Sequence, residues 1–236
     1  ADLILNLAGR SVFHPWTERY KTKMHDSRIL TTRNIVAALP EKNGALLCSA
    51  SAVGFYGSCA ETVLTETSPR GEDFLARLSE AWEKEALAAE DKGARVALMR
   101  FGIILGKEGG AIPKMLPAFR LGLGGPLGSG KQWFAWLHVE DLYRAVRFLM
   151  ENKEISGPVN LTAPQPIRQA ALAKLLGRLL RRPAFLPTPA LAVKLAMGEL
   201  GETLLASQRV IPEILNQAGF GFTHGEIETA LRSLID

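Results

Sequence analysis

Three short apolar runs, each ending at small residues and separated by segments long enough for a helix, restrict this chain to few architectures. Residues 3–7 form the first run and stop at Ala8-Gly9; residues 45–50 form the second and lead into a Gly/Ser/Tyr loop. The third spans 95–105 and stops at Gly106. Between them, residues 17–39 read as a helix ending at Pro40, and residues 71–92 as a long amphipathic helix closed by Gly93 in the C′ position. Strand and helix alternating at this spacing predict βαβ units, hence a parallel sheet covered on both faces. Such a sheet places its ligand outside the carboxyl ends of its strands. Those ends are residues 6–9, 49–57 and 100–106.

Past Gly106 the pattern changes. Residues 107–137 are rich in Gly, Pro and aromatics and read as a flap, followed by a helix over 141–152 and a strand over 157–162. Beyond Pro164 and Pro166 the chain is almost wholly helical. This shift predicts a domain over 1–163 and a smaller helical lobe over 164–236 on the substrate side of the cleft.

Composition removes several function classes. The 28 basic residues are scattered among 24 acidic ones, so the net charge of +4 forms no concentrated patch and nucleic acid is not an expected partner. No stretch approaches the roughly 20 apolar residues of a membrane span. Cys48 and Cys59 make no disulfide framework, and the start has no basic signal-type region, so a cytoplasmic setting is expected. No cluster of His, Cys, Asp and Glu has metal-ligand spacing, and no metal is expected. His138 reads as structural, and Asp141 as an acid balancing a helix terminus.

The segment GPLGSGK at 125–131 fits the spacing of a nucleotide-triphosphate loop. Gln132 stands where magnesium needs Ser or Thr, however, and neither a buried strand nor a helix start flanks it. A glycine-rich flap beside the substrate fits better, with Lys131, Gln132 and Trp133 as candidate substrate contacts.

Four segments in order carry a resemblance: NLAG at 6–9, SAS then FYG within 49–57, RFGIILG at 100–106 and HVED at 138–141. Together they resemble the extended short-chain dehydrogenase/reductase superfamily. SRILTTR at 27–33, the stretch 119–142 and QRVIPEILNQAGF at 208–220 narrow the likeness to its atypical YfcH-like group, usually labelled nucleoside-diphosphate-sugar epimerases. The resemblance implies an NAD(P)-binding Rossmann-type α/β fold. It also implies a Gly-rich βα unit before residue 1, because no G-x-G-x-x-G turn precedes the strand at 3–7.

By the same resemblance, Leu7, Ala8 and Gly9 lie under the adenine ribose and pyrophosphate. Arg28 replaces the usual helix asparagine and binds phosphate or ribose oxygens. Ser51 takes the place of the catalytic serine, donating to a substrate oxygen, with Ser49 on the same strand face and Ala50 between them. The backbone of Arg100, Gly102, Ile103 and Ile104 meets the nicotinamide. The superfamily's Tyr-x-x-x-Lys pair has no counterpart: the aligned positions hold Phe74/Leu78 or, one residue on, Leu75/Ser79. Tyr56 is the candidate substitute acid. The cofactor expected is NADP or NAD, NADP by group likeness. The expected activity is redox or epimerase chemistry on a hydroxylated or keto small molecule, nucleotide sugars included; a weakly catalytic, cofactor-binding sensor is the alternative. A pair of identical chains is a candidate assembly.

Overall fold

The computed structural model describes residues 2–42 and 44–235. The chain opens on β1 (Leu3–Asn6) and crosses through α1 (Glu18–Ala38) to β2 (Leu46–Ala52). A two-residue strand, β3 (Val63–Leu64), precedes α2 (Phe74–Leu87), which leads to β4 (Arg95–Phe101). Both crossover helices start where the sequence supplies a cap. The Thr17 side chain accepts from the Tyr20 amide and that of Asp73 from the Ala76 amide, each satisfying a donor that a helix start leaves orphaned. The segment read as one helix over 71–92 is two pieces, α2 and a single 3-10 turn at Glu90–Lys92. Gly93, at φ 81°, then makes the left-handed turn into β4.

Next come β5 (Ile103–Leu105), α3 (Ile112–Arg120), β6 (Trp133–Phe134), β7 (Trp136–His138), α4 (Val139–Glu151) and β8 (Gly157–Leu161). The main sheet is parallel in the order β1-β2-β4-β8. Its alternation explains the near-continuous apolar runs. Leu47, Val96 and Leu98 face Val36 of α1 and Ala86 of α2. Leu46, Cys48, Ala97 and Met99 face Ala145 and Leu149 of α4. Each leucine so buried contributes about 1.5–3 kcal/mol.

Residues 95–105 are two strands rather than one. A Cβ on Gly102 would lie 3.0 Å from the Ala135 carbonyl oxygen and 3.0 Å from the Thr162 methyl, so only glycine lets the backbone pass here. Past it, β5 leaves the main sheet and pairs with β7. The flap also differs from expectation, because it contains α3. Pro113 sits in that helix's first turn, where its missing N–H costs nothing, and Leu116 and Phe119 are buried.

The remaining elements are β9 (Ile167–Arg168), α5 (Gln169–Leu180), α6 (Ala190–Met197), α7 (Glu199–Leu204), β10 (Arg209–Val210), α8 (Glu213–Gln217) and α9 (Ile227–Ile235). They are mostly helical, yet they pack into three cores, β10 adding Val210 to that of Tyr56 and Leu64. Leu172 and Leu176 of α5 and Leu231 and Leu234 of α9 share one with α3 and Trp136. Leu215 of α8 joins the core of the main sheet. No helix among the described residues is long and apolar enough to cross a membrane.

Candidate active site

The carboxyl ends of β1, β2 and β4 open on a cavity of about 310 Å³. Leu7, Gly9, Arg28, Ala50, Ser51, Gly102 and Ile103, all singled out from the sequence, line it together. Helix α2 contributes Leu75, Leu78, Ser79 and Trp82, and Thr203 and Gln208 close the wall from the C-terminal side. Both sequence registers for the absent Tyr-x-x-x-Lys pair thus reach this wall, through Leu78 in one and Leu75/Ser79 in the other. Neither supplies a phenol or an ammonium.

Arg28 reaches across the turn after β1. Its guanidinium donates to the carbonyls of Met24 (3.0 Å) and Arg10 (3.1 Å) and stands 5.1 Å from the Trp82 ring. Gly9 makes room for it, since a Cβ there would sit 3.1 Å from the guanidinium carbon. Burial pushes the Arg28 pKa down, and no carboxylate pairs with it among the described residues. A half-buried cation held by carbonyls alone favours an anion.

Ser51 heads a buried polar network that the sequence did not reveal. Ser51, Arg100 and Asn160 are register partners on β2, β4 and β8, and Glu83 of α2 meets them from one face. The Ser51 hydroxyl donates to Glu83 Oε1 at 2.6 Å. Arg100 clamps both oxygens of that carboxylate at 2.8 Å and donates to the Tyr56 hydroxyl at 3.0 Å. Tyr56 in turn donates to Asn160 Oδ1 at 2.7 Å. Glu66 Oε1 accepts from the Asn160 amide at 3.0 Å, while Oε2 is buried with no partner. Burial raises the Glu66 pKa. For Arg100, burial opposes the charge, but hydrogen bonding to Glu83 and the other attractive contacts outweigh it and the pKa rises.

Two expectations change here. Ser51 was read as donating to a substrate oxygen, but its proton is engaged by Glu83, so it offers lone pairs to the cavity. Tyr56 was read as a substitute acid, but it is 1% exposed; its hydroxyl is enclosed by Asn160 and Arg100, burial raises its pKa, and it does not line the cavity.

Other sequence candidates also lie off the cavity wall. Ser49 is fully buried beside Asn6, whose amide reaches it at 3.4 Å. The Ala8 amide donates to the Asn6 side chain. The Arg100 side chain points into the network just described. Ile104 faces the opposite way from Ile103, as strand alternation requires, and packs on the main-sheet core. In the flap, Lys131 is exposed. Gln132 is buried and donates to the Leu127 carbonyl, while Trp133 donates to Glu61 with its ring 4.0 Å from Arg168. None of these three lines the cavity: β6 pairs antiparallel with β9 and lies behind Gln208, whose backbone amide donates to the Trp133 carbonyl at 3.2 Å.

One cluster was invisible in the sequence spacing: ligand atoms of His138, Glu140 and His224 lie within 4.8 Å of one another. Nδ1 of His138 accepts from the Glu140 amide at 3.1 Å, capping α4. Its proton therefore sits on Nε2, which donates to Ser233 Oγ at 3.2 Å. Burial, then the neighbouring His224, lowers the His138 pKa. With both His138 nitrogens engaged, the cluster acts as a cap. Asp141 anchors the facing loop by accepting from the amides of Thr223 and His224, each at 2.8 Å.

Comparison with known proteins agrees with this architecture. The chain is 40% identical over 236 residues to the Epimerase family protein SDR39U1 homolog, chloroplastic, of Arabidopsis thaliana, covering 98% of this chain and 68% of that protein. The crystal structure of human epimerase family protein SDR39U1 with NADPH superposes with a TM-score of 0.93 at 32% identity, covering 99% of this chain and 81% of the human one. A Corynebacterium glutamicum structure described as a nucleoside-diphosphate sugar epimerase gives 0.80 at 33% identity, covering 98% of this chain and 45% of that one. Residues 188–234 match a domain of unknown function, DUF1731. With its parallel sheet, its cavity at the strand ends and a match over residues 1–161, the chain belongs to the NAD dependent epimerase/dehydratase family.

Proposed function

We propose that this chain carries the active site of an NAD(P)-dependent enzyme that interconverts a hydroxyl and a carbonyl on a small molecule. A nicotinamide dinucleotide bound at the strand ends supplies the hydride donor or acceptor. NADP is the preferred form, in keeping with the NADPH in the human relative. Leu7 and Gly9 give it a close backbone approach, Arg28 a cation for a phosphate or ribose oxygen, and Ile103 an apolar wall that excludes water.

The observation that carries the reading is the 2.6 Å hydrogen bond from Ser51, at the cavity wall, to Glu83 behind it. A substrate hydroxyl donates to Ser51 Oγ, and as its proton arrives, the serine proton passes to Glu83. Reduction runs the same transfers backwards: it starts with the proton on Glu83, which donates to Ser51 Oγ while the serine hydroxyl donates to the substrate carbonyl. Arg100 holds the carboxylate in one orientation, so Ser51 and Glu83 together take over the proton handling that a phenol and an ammonium perform elsewhere in the superfamily. Two substrate classes meet this description: nucleotide sugars, by likeness to the C. glutamicum relative, and uncharged hydroxy or keto compounds. The free thiols of Cys48 and Cys59 fit a reducing, cytoplasmic compartment.

The test is turnover by the full-length protein on a panel of alcohols and ketones, read as NADPH absorbance. Ser51→Ala and Glu83→Gln are each expected to lower kcat by about 10²–10⁴-fold, with NADPH affinity unchanged. A second reading, cofactor binding without turnover, rests on the apolar face that Leu75, Leu78 and Trp82 present to the cavity. It is favoured if the whole panel is inert while NADPH binds tightly.

A further inference from the structure

Three cavities run end to end from Ser51 outwards. The one at the strand ends shares Gly54, Leu75, Thr203 and Gln208 with a middle compartment of about 200 Å³. That compartment shares Trp16 and Glu199 with an outer chamber of about 530 Å³, within the size range of small-molecule sites. The chamber's apolar walls are Phe13, Pro15 and Trp16 from the loop after β1, and Ala196, Met197 and Leu200 around α6 and α7. The corridor thus joins the proposed chemistry to an aromatic vestibule that none of Lys131, Gln132 and Trp133 lines.

Among the described residues no Lys or Arg lines the two outer compartments, whereas Asp73, Glu199 and Glu202 do. The neighbouring lysines are already held by these walls: Lys21 pairs with Glu199 at 2.6 Å, Lys194 with Glu202 at 3.1 Å, and Lys114 stands 4.7 Å from the centre of the Phe13 ring, which leaves none of the three unpaired for a phosphate. The N-termini of α1 and α2 border the corridor and could attract an anion, but Glu18 and Asp73 already supply one to each. Arg28 is the cation on the wall of the innermost cavity, beside Gly9, where the cofactor is proposed to lie.

We infer that the substrate is an uncharged hydroxy or keto compound with an apolar, ring-bearing body, held by Trp16, Phe13 and Met197 while its oxygen reaches Ser51, and that nucleoside-diphosphate sugars are excluded. The inference rests on the proposed Ser51 chemistry for the substrate's direction, but its recognition claim belongs to the outer chamber alone. A diphosphate threaded through the corridor would lose its hydration and meet carboxylates whose lysines are already paired, with no lining cation to replace the lost water. An aryl ketone loses nothing there and buries its ring among aromatic and aliphatic side chains.

The experiment uses the full-length protein with two probes, 2-acetylnaphthalene and UDP-glucose, titrated by calorimetry with and without NADPH. The ketone is expected to bind at submillimolar concentration, and UDP-glucose neither to bind there nor to displace it. Ala196→Trp, at an exposed helix position that lines the chamber, should weaken the ketone at least tenfold. Trp16→Ala should do the same, with folding checked by circular dichroism. Displacement by UDP-glucose, no ketone binding, or an unchanged ketone affinity in Ala196→Trp would each overturn the inference. NADPH affinity is read separately by its fluorescence, so failure to bind NADPH would sink the dinucleotide reading and leave the ketone result to be judged alone.

Discussion

At the inner end of the corridor Ser51, Glu83, Arg100, Tyr56 and Asn160 satisfy one another through hydrogen bonds of 2.6–3.0 Å. At the outer end Phe13, Trp16, Ala196 and Met197 line a larger chamber on a loop and a short helix. Ser51, Arg100 and Asn160 sit on adjacent strands of a sheet buried on both faces, and Glu83 and Tyr56 reach them from α2 and from the turn after β2, so the geometry is fixed before any ligand arrives. The outer groups hang on segments with little of that support. On the proposed reading, the first region carries the chemistry, which needs ångström precision. Recognition that depends mainly on shape and apolar area is left to the second, which can adapt.

The largest expected effect tests the rigid end. Arg100→Met leaves Glu83 buried without its partner and should cost about 3–5 kcal/mol of stability, measured by urea unfolding. The double variant Arg100→Met/Glu83→Met removes both charges and should recover much of that loss. A single variant that costs less than 1 kcal/mol would mean that water reaches the network and that the contrast between the two ends is false.

Arg28→Ala comes next. It leaves the fold nearly intact, because its protein partners are two carbonyls and a ring face rather than a carboxylate. Dinucleotide affinity should fall by about 1.5–3 kcal/mol, the value of a charge-assisted hydrogen bond. Calorimetry on the full-length protein checks it, and unchanged affinity for both NADP and NAD would remove Arg28 from the site.

The part of this arrangement that was legible in the sequence is the part written locally. Apolar runs, Gly93 and the small residues after β1 each announce an element or its end within a few positions. The Ser51–Glu83–Arg100 network joins residues on three elements, 17 and 32 positions apart, and nothing local marks Glu83 as different from an ordinary helix acid. The break at Gly102 was hidden because the apolar pattern continues across it. Helix α3 was hidden by Pro113 and Pro117, which read as breakers although the first belongs in a helix's opening turn. The flap residues 131–133 drew attention through glycine content, yet their contacts are with Glu61, Arg168 and Leu127. A repeated signal was available for Trp16 and Phe13, two aromatics in a short loop after a ligand-facing strand, but chain order alone does not reveal that α6 lies opposite.

A smaller effect separates the network's members by pH. Burial raises the Glu66 pKa above its ordinary value near 4.5, so the folded state holds this proton more tightly than the unfolded state. Stability from this group is therefore fully present below pH 4.5 and is lost as pH rises through the raised value. Glu66→Gln, which keeps the oxygen that accepts from Asn160, should be nearest to wild type at about pH 4.5 and increasingly more stable relative to it towards pH 8. Unfolding free energies of both proteins across that range decide it; a difference that stays flat with pH would show Glu66 to be effectively solvated.

The smallest effects are expected on α6, where two positions on one short helix should behave differently. Leu195 is 79% exposed and lines none of the three cavities, whereas Met197, two residues on, lines the outer chamber. Leu195→Gln should change stability by no more than about 0.5 kcal/mol, as surface substitutions do, and leave 2-acetylnaphthalene affinity unchanged. Met197→Gln should also be mild in stability but should weaken the ketone, because it places an amide among the groups that receive the ring. Equal ketone affinities in the two variants would mean that α6 is only a scaffold and that the adaptable end of the corridor lies in the loop carrying Phe13 and Trp16. Leu195 and Leu191, which is 67% exposed, also form the apolar side of this helix that a second copy of the chain would cover. Sedimentation velocity on the same Leu195→Gln protein reads that contact directly: an unchanged coefficient leaves α6 facing solvent, and a drop towards the monomer value assigns this helix to a homodimer.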